Sequence, residues 1–299
     1  MIEKGIILAG GKGTRLSPVT KSTNKQLLPI YDKPLFFYPL SILMLADIRK
    51  ILIIVNKGQI KNFYNLIGNG KHLGINISYK EQTRPNGIPE SFKIGKKFIG
   101  KSNVALILGD NFFYGQGLID QLKEAKTFES GCTVYLKDVS KPENYGVVKI
   151  KQNKINLIVE KPKKFISSKV ITGLYFFDNE VVKLSKKLKP SKRKETEIVD
   201  LIKYYQKKGN LNHIKLGRGA IWSDAGKIDD FMNIGNFVTS VEKVQDLKIA
   251  CLDEIAFRKK WIKKNQLIKN ISFYGNCHLR FQSYIACPHQ PTIPSSVRE

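Results

Sequence analysis

The sequence predicts an α/β fold in which a mixed, Rossmann-like sheet is flanked by helices. In the first half of the 299 residues, short apolar segments alternate with segments of helical length, a pattern typical of parallel strands joined by helical crossovers. After Gly131 the apolar segments follow one another with little helix between them, which favours an antiparallel or mixed extension. A glycine-rich loop follows the first apolar segment, and such sheets bind ligands at the carboxyl ends of their strands.

The elements of the first half are predicted from apolar runs bounded by polar residues or glycine. The predicted strands are residues 5–9, 51–55, 75–79 and 104–108. The predicted helices are residues 35–46, 60–67 and 88–98. The loop after Ala9 and the acid Asp110 are therefore expected to share one edge of the sheet.

The second half adds shorter strands and then helices. The predicted strands are residues 132–136, 146–150, 154–159 and 170–177. The predicted helices are residues 179–188, 195–207 and 227–244. We expect a main domain over residues 1–245, a helical segment over 246–277 and an atypical, loosely ordered tail over 278–299.

Composition indicates a globular protein with a substantial core. The sequence is 42% hydrophobic, and its most apolar run, residues 34–46, is interrupted by Tyr38, Pro39 and Ser41, so no membrane span is predicted. The N-terminus lacks the pattern of a secretory signal. Four cysteines in a chain of this length are typical of reduced thiols, which favours a cytoplasmic location.

The formal net charge of +26 at pH 7 raises the question of nucleic-acid binding. The excess comes from lysines spread along the whole chain, as at Lys186-Lys187 and Lys207-Lys208, without an aromatic-interleaved patch or a known nucleic-acid motif. Such a distribution is typical of solvated faces. We expect no nucleic-acid partner, although the charge attracts anionic substrates.

The first predicted strand leads into a loop with three glycines, Gly10-Gly11-Lys12-Gly13-Thr14-Arg15. Glycines let the backbone turn sharply and bring its N–H groups close to a ligand. Thr14 adds a hydroxyl group, and Arg15 adds a guanidinium group suited to phosphate oxygens. The pattern predicts a polyphosphate-binding loop, and the alternative is a connection that needs glycine for its geometry alone.

Two familiar phosphate motifs are excluded. The dinucleotide fingerprint GxGxxG aligns with residues 11–16, where Leu16 occupies the position of the last glycine. The second strand is followed by Asn56 and Lys57 rather than by the acid that this fingerprint needs. Residues 95–102 match the Walker A pattern, but a predicted helix precedes them and a predicted strand follows, the reverse of a true P-loop. We interpret that match as coincidental.

Acidic residues adjoin three further apolar segments. Asp110 follows the strand at 104–108 and Asp224 precedes the last long helix, so both are candidates for Mg²⁺, which prefers a few oxygen ligands together with substrate phosphates. A carboxylate at Asp110 could equally cap a helix. Glu160 and Lys161 end another strand, where the carboxylate can accept sugar hydroxyls and the ammonium group can contact a phosphate.

Several short motifs occur in one order between residues 5 and 269. They are residues 10–16 (GGKGTRL), 25–29 (KQLLP), 31–34 (YDKP), 108–111 (LGDN), 145–148 (YGVV), 160–162 (EKP), 172–175 (TGLY), 197–198 (EI) and 254–258 (EIAFR). Together they resemble the bacterial sugar nucleotidyltransferases, and most closely the glucose-1-phosphate thymidylyltransferases. The resemblance implies the nucleotide-diphospho-sugar transferase fold.

The same resemblance implies transfer of a thymidylyl group from dTTP to glucose 1-phosphate, giving dTDP-glucose and pyrophosphate. Charge neutralisation and in-line alignment would supply most of the catalysis, with Mg²⁺ as the cofactor. The residues implied in catalysis are Arg15, Lys25, Asp110, Lys161 and Asp224, of which Asp110 and Asp224 would hold the metal ion.

Substrate contacts are implied in the same way, with residues 1–245 forming a catalytic domain that has a nucleotide-binding and a sugar-binding half. The implied nucleotide contacts are Leu8, Gly10, Gly11, Gly13, Thr14, Arg15, Lys25, Gln26, Gln82 and Gly87, the last two beside the thymine. The implied sugar contacts are Asn111, Tyr145, Gly146, Glu160, Lys161, Ile171 and Tyr175, with Lys161 on the phosphate of glucose 1-phosphate.

Regulation and assembly are also implied. In related enzymes an arginine corresponding to Arg258 helps to bind a second nucleotide at a subunit interface of a homotetramer. The resemblance therefore implies a homotetramer inhibited by dTDP-rhamnose through Arg258, in a pathway that supplies rhamnose for surface polysaccharide. The alternative for Arg258 is a solvated or ion-paired helix residue.

Some residues depart from the family pattern. Residues 86–90 (NGIPE) differ from the segment usual in the family, which weakens the expectation that this segment recognises thymine. The tail, residues 278–299, does not resemble the C-terminus usual in the family. Its Cys277, His278, Cys287 and His289 have the spacing of no standard zinc module. Two alternative functions remain: a sugar-1-phosphate nucleotidyltransferase that uses UTP or CTP, and a non-catalytic sensor of nucleotide sugars.

Overall fold

The computed structural model describes residues 1–273, apart from residues 12, 128 and 192. The strands are β1 (Lys4–Ala9), β2 (Pro29–Ile30), β3 (Lys33–Pro34), β4 (Lys50–Asn56), β5 (Asn76–Gln82), β6 (Val104–Leu108), β7 (Phe112–Tyr114), β8 (Cys132–Asp138), β9 (Gly146–Lys151), β10 (Lys154–Glu160), β11 (Lys169–Phe177), β12 (Leu211–Lys215) and β13 (Ile221–Ser223). The helices are α1 (Phe37–Leu45), α2 (Ile60–Ile67), α3 (Glu90–Ile94), α4 (Lys96–Ile99), α5 (Leu118–Thr127), α6 (Glu180–Ser185), α7 (Ile198–Lys207), α8 (Ile228–Gln245), α9 (Leu252–Arg258) and α10 (Lys264–Phe273).

The parallel half of the main sheet has the strand order β6-β1-β4-β5. Strands β1, β4 and β6 are nearly all apolar because both faces of the sheet are covered there, as is usual for parallel sheets. The edge strand β5 instead alternates buried and more exposed residues. Their register aligns the carboxyl ends: Ala9 pairs with Val55, and Asn56 pairs with Gln82. The glycine loop, Asn56 and Gln82 therefore lie at one edge, where the sequence predicted a ligand site.

The second half extends this sheet through β11, which runs antiparallel to β6, β8 and β9. Strands β9 and β10 form a hairpin, and β12 pairs with β8 in parallel. The mixed extension is thus confirmed. Strand β12 was not predicted because its five residues include Asn212, His213 and Lys215 and show no clear alternation.

Several other elements differ from the predictions, among them the β2–β3 hairpin, which was not predicted. The predicted helix at 88–98 is two short helices, α3 and α4, that meet at Gly95, where a Cβ would lie 2.9 Å from the Ser91 carbonyl oxygen. Helix α5 and the small β7–β13 ribbon were not predicted. The Walker A match begins at this helix junction and ends before β6, so it has the reversed context that the sequence indicated.

Helices cover both faces of the sheet. One apolar cluster joins the sheet to α1, α2, α5, α9 and α10, and a second joins the other face to α3, α4, α6 and α7. A third cluster packs Ile234 and Val238 of α8 against Ile30 and Tyr38, next to the buried Ala225. Helix α8 is therefore held beside the two segments that carry Lys25 and Asp224.

Residues 274–299 lie outside the described part of the chain, and with them the predicted tail and its cysteines and histidines. The described portion of the 246–277 segment contains α9 and α10, while residues 246–251 and 259–263 lie outside these helices. None of the described helices combines the length and the apolar character needed to cross a membrane.

Candidate active site

The glycine loop leaves β1 at Ala9 and continues into a 3₁₀ turn at Thr14–Leu16. Gly11 and Gly13 have φ angles of 121° and 58°, in the region that favours glycine. A Cβ at Gly10 would lie 1.7 Å from Nε2 of Gln82, so a larger residue does not fit between the loop and that amide. The backbone geometry thus accounts for all three glycines, and the exposed Thr14 and Arg15 follow Gly13.

Asn56, at the end of β4, anchors this loop. Its Oδ1 accepts a hydrogen bond from the Gly11 N–H at 3.2 Å, and its Nδ2 donates to the Gly11 carbonyl oxygen at 2.8 Å. The same Oδ1 accepts from Nε2 of Gln82 at 3.0 Å. Asn56 therefore connects the loop to Gln82 at the end of the neighbouring strand.

The loop forms one wall of a cleft of about 390 Å³. The residues that line the cleft are Gly10, Gly11, Gly13, Thr14, Arg15, Leu16, Lys25, Gln26, Asp110, Glu195, Asp224 and Gly226. Most of the residues predicted to contact the nucleotide are among them. Oε1 of Gln26 is buried and has no hydrogen-bond partner within the described residues, so it remains available to a ligand donor.

Three predicted nucleotide contacts do not line this cleft. Leu8 packs from β1 against the core, and its carbonyl oxygen accepts a hydrogen bond from the Gly109 N–H. Gln82 is 5% exposed and lies against Gly10. Gly87 has a φ angle of 105°, and a Cβ there would lie 2.0 Å from the Thr196 carbonyl oxygen, so packing against that backbone explains this glycine.

Lys25 links the two acids predicted to bind metal. Its Nζ lies 2.7 Å from Oδ2 of Asp110 and donates to the backbone oxygen of Asp224 at 3.1 Å. Burial raises the pKa of Asp224, and the negative charge of Asp110 raises it further. The structure therefore brings Lys25, Asp110 and Asp224 together, and a cation beside the carboxylates would relieve their mutual repulsion.

A second cleft, of about 190 Å³, adjoins the first at Asp224. Its lining includes every residue predicted to contact the sugar: Asn111, Tyr145, Gly146, Glu160, Lys161, Ile171 and Tyr175. Trp222 and Thr172 also line it and were missed, because an isolated tryptophan or threonine in a strand is usually a packing residue. The hydroxyl of Tyr145 lies 3.4 Å from Oδ1 of Asp224, which connects the two clefts.

Asn111 lies fully buried between these clefts and is held from three sides. Its Oδ1 accepts hydrogen bonds from Nε1 of Trp222 at 2.7 Å and from the Gly173 N–H at 3.0 Å. Its Nδ2 donates to Oδ1 of Asp110 at 2.9 Å. This network fixes one oxygen of Asp110, while Lys25 contacts the other.

Glu160 is linked to Arg193, in a loop of which only Glu197 belonged to a motif. Nη2 of Arg193 lies 3.1 Å from Oε1 of Glu160 and 2.6 Å from Oε2 of Glu197. Burial raises the pKa of Glu160, and the charges of Lys161 and Arg193 offset that effect only in part. Because Arg193 and Glu160 are 33 residues apart, the sequence held no local signal for their pairing.

Arg258 lies away from both clefts, on α9. Its Nε is 2.6 Å from Oε1 of Glu254, so the ion-paired helix residue considered from the sequence is present. Arg258 also lines a separate cleft of about 410 Å³, together with Leu45, Tyr114, Ile119, Lys248 and Glu254.

Comparisons with known proteins agree with this geometry. A family model described as "Nucleotidyl transferase" matches residues 4–241. The chain belongs to the nucleotidyl transferase family. Within this family it is 48% identical over 265 residues to a Neisseria meningitidis glucose-1-phosphate thymidylyltransferase, a match that covers 88% of this chain and 92% of the relative. A glucose-1-phosphate thymidylyltransferase of Mycobacterium tuberculosis H37Rv is 43% identical over 279 residues, a match that covers 91% of this chain and 96% of the relative.

Solved structures of the nucleotidyl transferase family confirm the fold. A Bacillus anthracis protein assigned as a glucose-1-phosphate thymidylyltransferase, solved with sucrose, has a TM-score of 0.73 and 36% identity and covers 78% of this chain and 94% of its own. A UDP-glucose pyrophosphorylase solved with UDP-glucose has a TM-score of 0.68 and 23% identity, and the match covers 80% of this chain and 99% of that structure. At this identity the similarity concerns the fold alone. The resemblance to the thymidylyltransferases that the motifs indicated is confirmed.

Proposed function

We propose that this nucleotidyl transferase transfers a thymidylyl group from dTTP to glucose 1-phosphate, giving dTDP-glucose and pyrophosphate. The observation that carries the proposal is the junction of the two clefts at Asp224, one lined by the glycine loop and the other by Glu160 and Lys161. The names of the relatives supply the substrates. A nucleoside triphosphate in the first cleft and a sugar phosphate in the second would meet at this junction.

In the proposed reaction a phosphate oxygen of glucose 1-phosphate attacks the α-phosphorus of dTTP. A new oxygen–phosphorus bond forms as the bond to the β-phosphate bridging oxygen breaks, and pyrophosphate leaves with that electron pair. The N–H groups of the glycine loop, Arg15 and Lys25 bind the triphosphate, and Lys161 binds the acceptor phosphate. These groups neutralise charge and align the reactants, which are the main sources of catalysis in such transfers.

The remaining implied contacts follow the two clefts. The backbone at Gly10, Gly11, Gly13 and Thr14 approaches the phosphates, and the buried Oε1 of Gln26 accepts from a deoxyribose hydroxyl. Gln82 and Gly87 contact the base from the strand edge, next to Leu8. Asn111, Tyr145, Gly146, Glu160, Ile171 and Tyr175 surround the glucose.

We assign Asp110 and Asp224 as the ligands of Mg²⁺. The donor set fits: both acids line one cleft and both contact Lys25, and two such carboxylates suit a hard cation that takes its other ligands from water and substrate phosphates. Within the described residues no three His, Cys, Asp or Glu side chains converge, so the triphosphate would complete the coordination. When bound, the ion neutralises charge on the transferring phosphoryl group.

Regulation and assembly remain part of the proposal. The cleft beside Arg258 is separate from the catalytic clefts, and its mixture of apolar and charged lining suits a nucleotide sugar. We assign it to dTDP-rhamnose at a subunit interface of a cytoplasmic homotetramer that serves surface-polysaccharide synthesis. Arg258→Ala is expected to relieve inhibition by dTDP-rhamnose while uninhibited turnover stays within about twofold, since Arg258 lines neither catalytic cleft.

A nucleotide panel tests the catalytic proposal. The enzyme is incubated with Mg²⁺, glucose 1-phosphate and each of dTTP, UTP, dCTP and CTP, and pyrophosphate release is measured. We expect the highest kcat/KM with dTTP. A preference for UTP or CTP would replace the thymidylyl assignment, and nucleotide-sugar binding without any pyrophosphate release would identify a non-catalytic sensor.

A further inference from the structure

Asn56 makes three hydrogen bonds that together determine the orientation of two side-chain amides. Because Nδ2 of Asn56 donates to the Gly11 carbonyl oxygen, its Oδ1 must face the Gly11 N–H and Nε2 of Gln82. Nε2 of Gln82 therefore faces Asn56. The reversed Gln82 amide would place two carbonyl oxygens against each other and lose the 3.0 Å bond.

This orientation determines what Gln82 presents to a ligand. One hydrogen of Nε2 is used by Asn56, which leaves Oε1 as an acceptor and the second Nε2 hydrogen as a donor. Gln82 is 5% exposed and lies against Gly10, so packing fixes the place of its amide group. Packing does not distinguish Oε1 from Nε2, because the two ends of an amide are nearly equal in size, and the bond to Asn56 sets which end is which. The fixed amide thus offers an acceptor and a donor in one spatial order.

Pyrimidine bases differ in that order. Thymine and uracil present an N3–H donor beside the O4 acceptor, whereas cytosine presents an N3 acceptor beside the N4 amino donor. An amide held in one orientation matches the first pattern and opposes the second. A freely rotating amide would match both.

We propose that Asn56 is a positioning residue for base selection, which holds Gln82 in the orientation that accepts thymine and uracil and rejects cytosine. The inference rests on the proposed function, in which Gln82 contacts the base. Asn56 also fixes Gly11 in the same network, so the phosphate loop and the base contact share one anchor. Discrimination against uracil derivatives lies outside this role, because both bases carry the same N3–H and O4 groups.

Two substitutions separate the acceptor of Asn56 from its donor. Asn56→Ala removes both and leaves little cavity, because the residue is half-buried at a strand end. We expect the ratio of kcat/KM for dTTP to that for dCTP to fall about tenfold, the effect of one hydrogen bond of ordinary strength. Asn56→Asp keeps an oxygen facing Gln82, so the ratio should stay within about twofold. Its added charge affects both triphosphates equally and cancels in the ratio.

The matched control is Asn62→Ala, because Asn62 is exposed on α2 and its Nδ2 contacts Gln59. This variant should keep the wild-type ratio, and the KM for glucose 1-phosphate should not change in any variant. Thermal melting confirms that each variant is folded. An unchanged ratio of kcat/KM for dTTP to that for dCTP in Asn56→Ala would overturn the inference. A fall of this ratio in Asn56→Asp as large as the fall in Asn56→Ala would overturn it too.

Calorimetric titration of dTTP and dCTP into the same proteins distinguishes failure of the inference from failure of the proposed function. If the wild-type protein releases no pyrophosphate, the proposed function fails, and the ratio of the two dissociation constants then decides the role of Asn56. A tenfold loss of binding preference in Asn56→Ala supports it. Equal binding of dTTP and dCTP by the wild-type protein refutes it.

Discussion

Lys248→Met is expected to destabilise the protein strongly, because it breaks a buried network of four charged residues. Lys248 contacts Asp32 at 2.5 Å and also Glu242, while Lys33 contacts Asp32 at 2.5 Å and Glu242 at 3.2 Å. The exposed fractions of the four side chains range from 0% to 9%. The network joins α8 to the β2–β3 hairpin, and these segments follow Asp224 and Lys25 in the chain.

The size of the effect follows from the charge balance. With two lysines and two acids the network is neutral, and the methionine leaves one net negative charge buried. Removing one partner of a buried pair costs about 3–5 kcal/mol of unfolding free energy. In a chain of this size each kcal/mol lowers Tm by about 2 °C or slightly more, so we expect a fall of roughly 6–10 °C. Thermal melting followed by circular dichroism measures it, and urea titration gives the change in free energy.

A double variant tests whether charge balance is the cause. Lys248→Met with Glu242→Gln leaves Asp32 and Lys33 as a neutral pair, and the glutamine can still accept from the Ile249 N–H. The double variant should be more stable than Lys248→Met alone. The control, Lys203→Met, breaks an exposed pair with Asp200 and should cost less than about 1 kcal/mol. A double variant that melts below Lys248→Met would refute the reasoning, and so would a single variant that melts as the wild type does.

Three further predictions concern the catalytic clefts. Asp110→Asn should fold, because the change is nearly isosteric, yet lose most turnover and need more Mg²⁺ for half-maximal rate; an unchanged Mg²⁺ titration would remove Asp110 from the metal site. Lys161→Asn should raise the KM for glucose 1-phosphate far more than the Kd for dTTP. Asparagine is chosen because it tolerates the φ angle of 45° at this position. An equal rise in both constants would contradict the assignment of Lys161 to the acceptor phosphate. Burial raises the pKa of Glu160, so on acidification its carboxyl is neutralised at a higher pH than an ordinary glutamate. The KM for glucose 1-phosphate should therefore rise over that interval in the wild type, and Glu160→Gln should remove this part of the pH dependence.

Much of the candidate site could be predicted because its residues directly follow buried strands. Gly10 follows β1 and Asp110 comes just after β6, and the parallel register brings both to one edge. The residues predicted to contact the sugar came from the motif resemblance, and all of them line one cleft. The break at Gly95 was missed because apolar spacing continues through it, while the close approach of Ile6 from β1 is a tertiary contact.

By itself the sequence determined the strand–helix alternation, the glycine loop after the first strand and the acids at the strand ends, because these depend on local composition and on spacing along the chain. The tertiary structure alone decided which distant residues meet. Lys25 contacts Asp224 across 199 positions, Arg193 reaches Glu160, and Asn56 joins Gly11 to Gln82. Hydrogen bonds of this kind require distances of about 3 Å, and the packing of whole strands and loops sets those distances without leaving a pattern in the sequence.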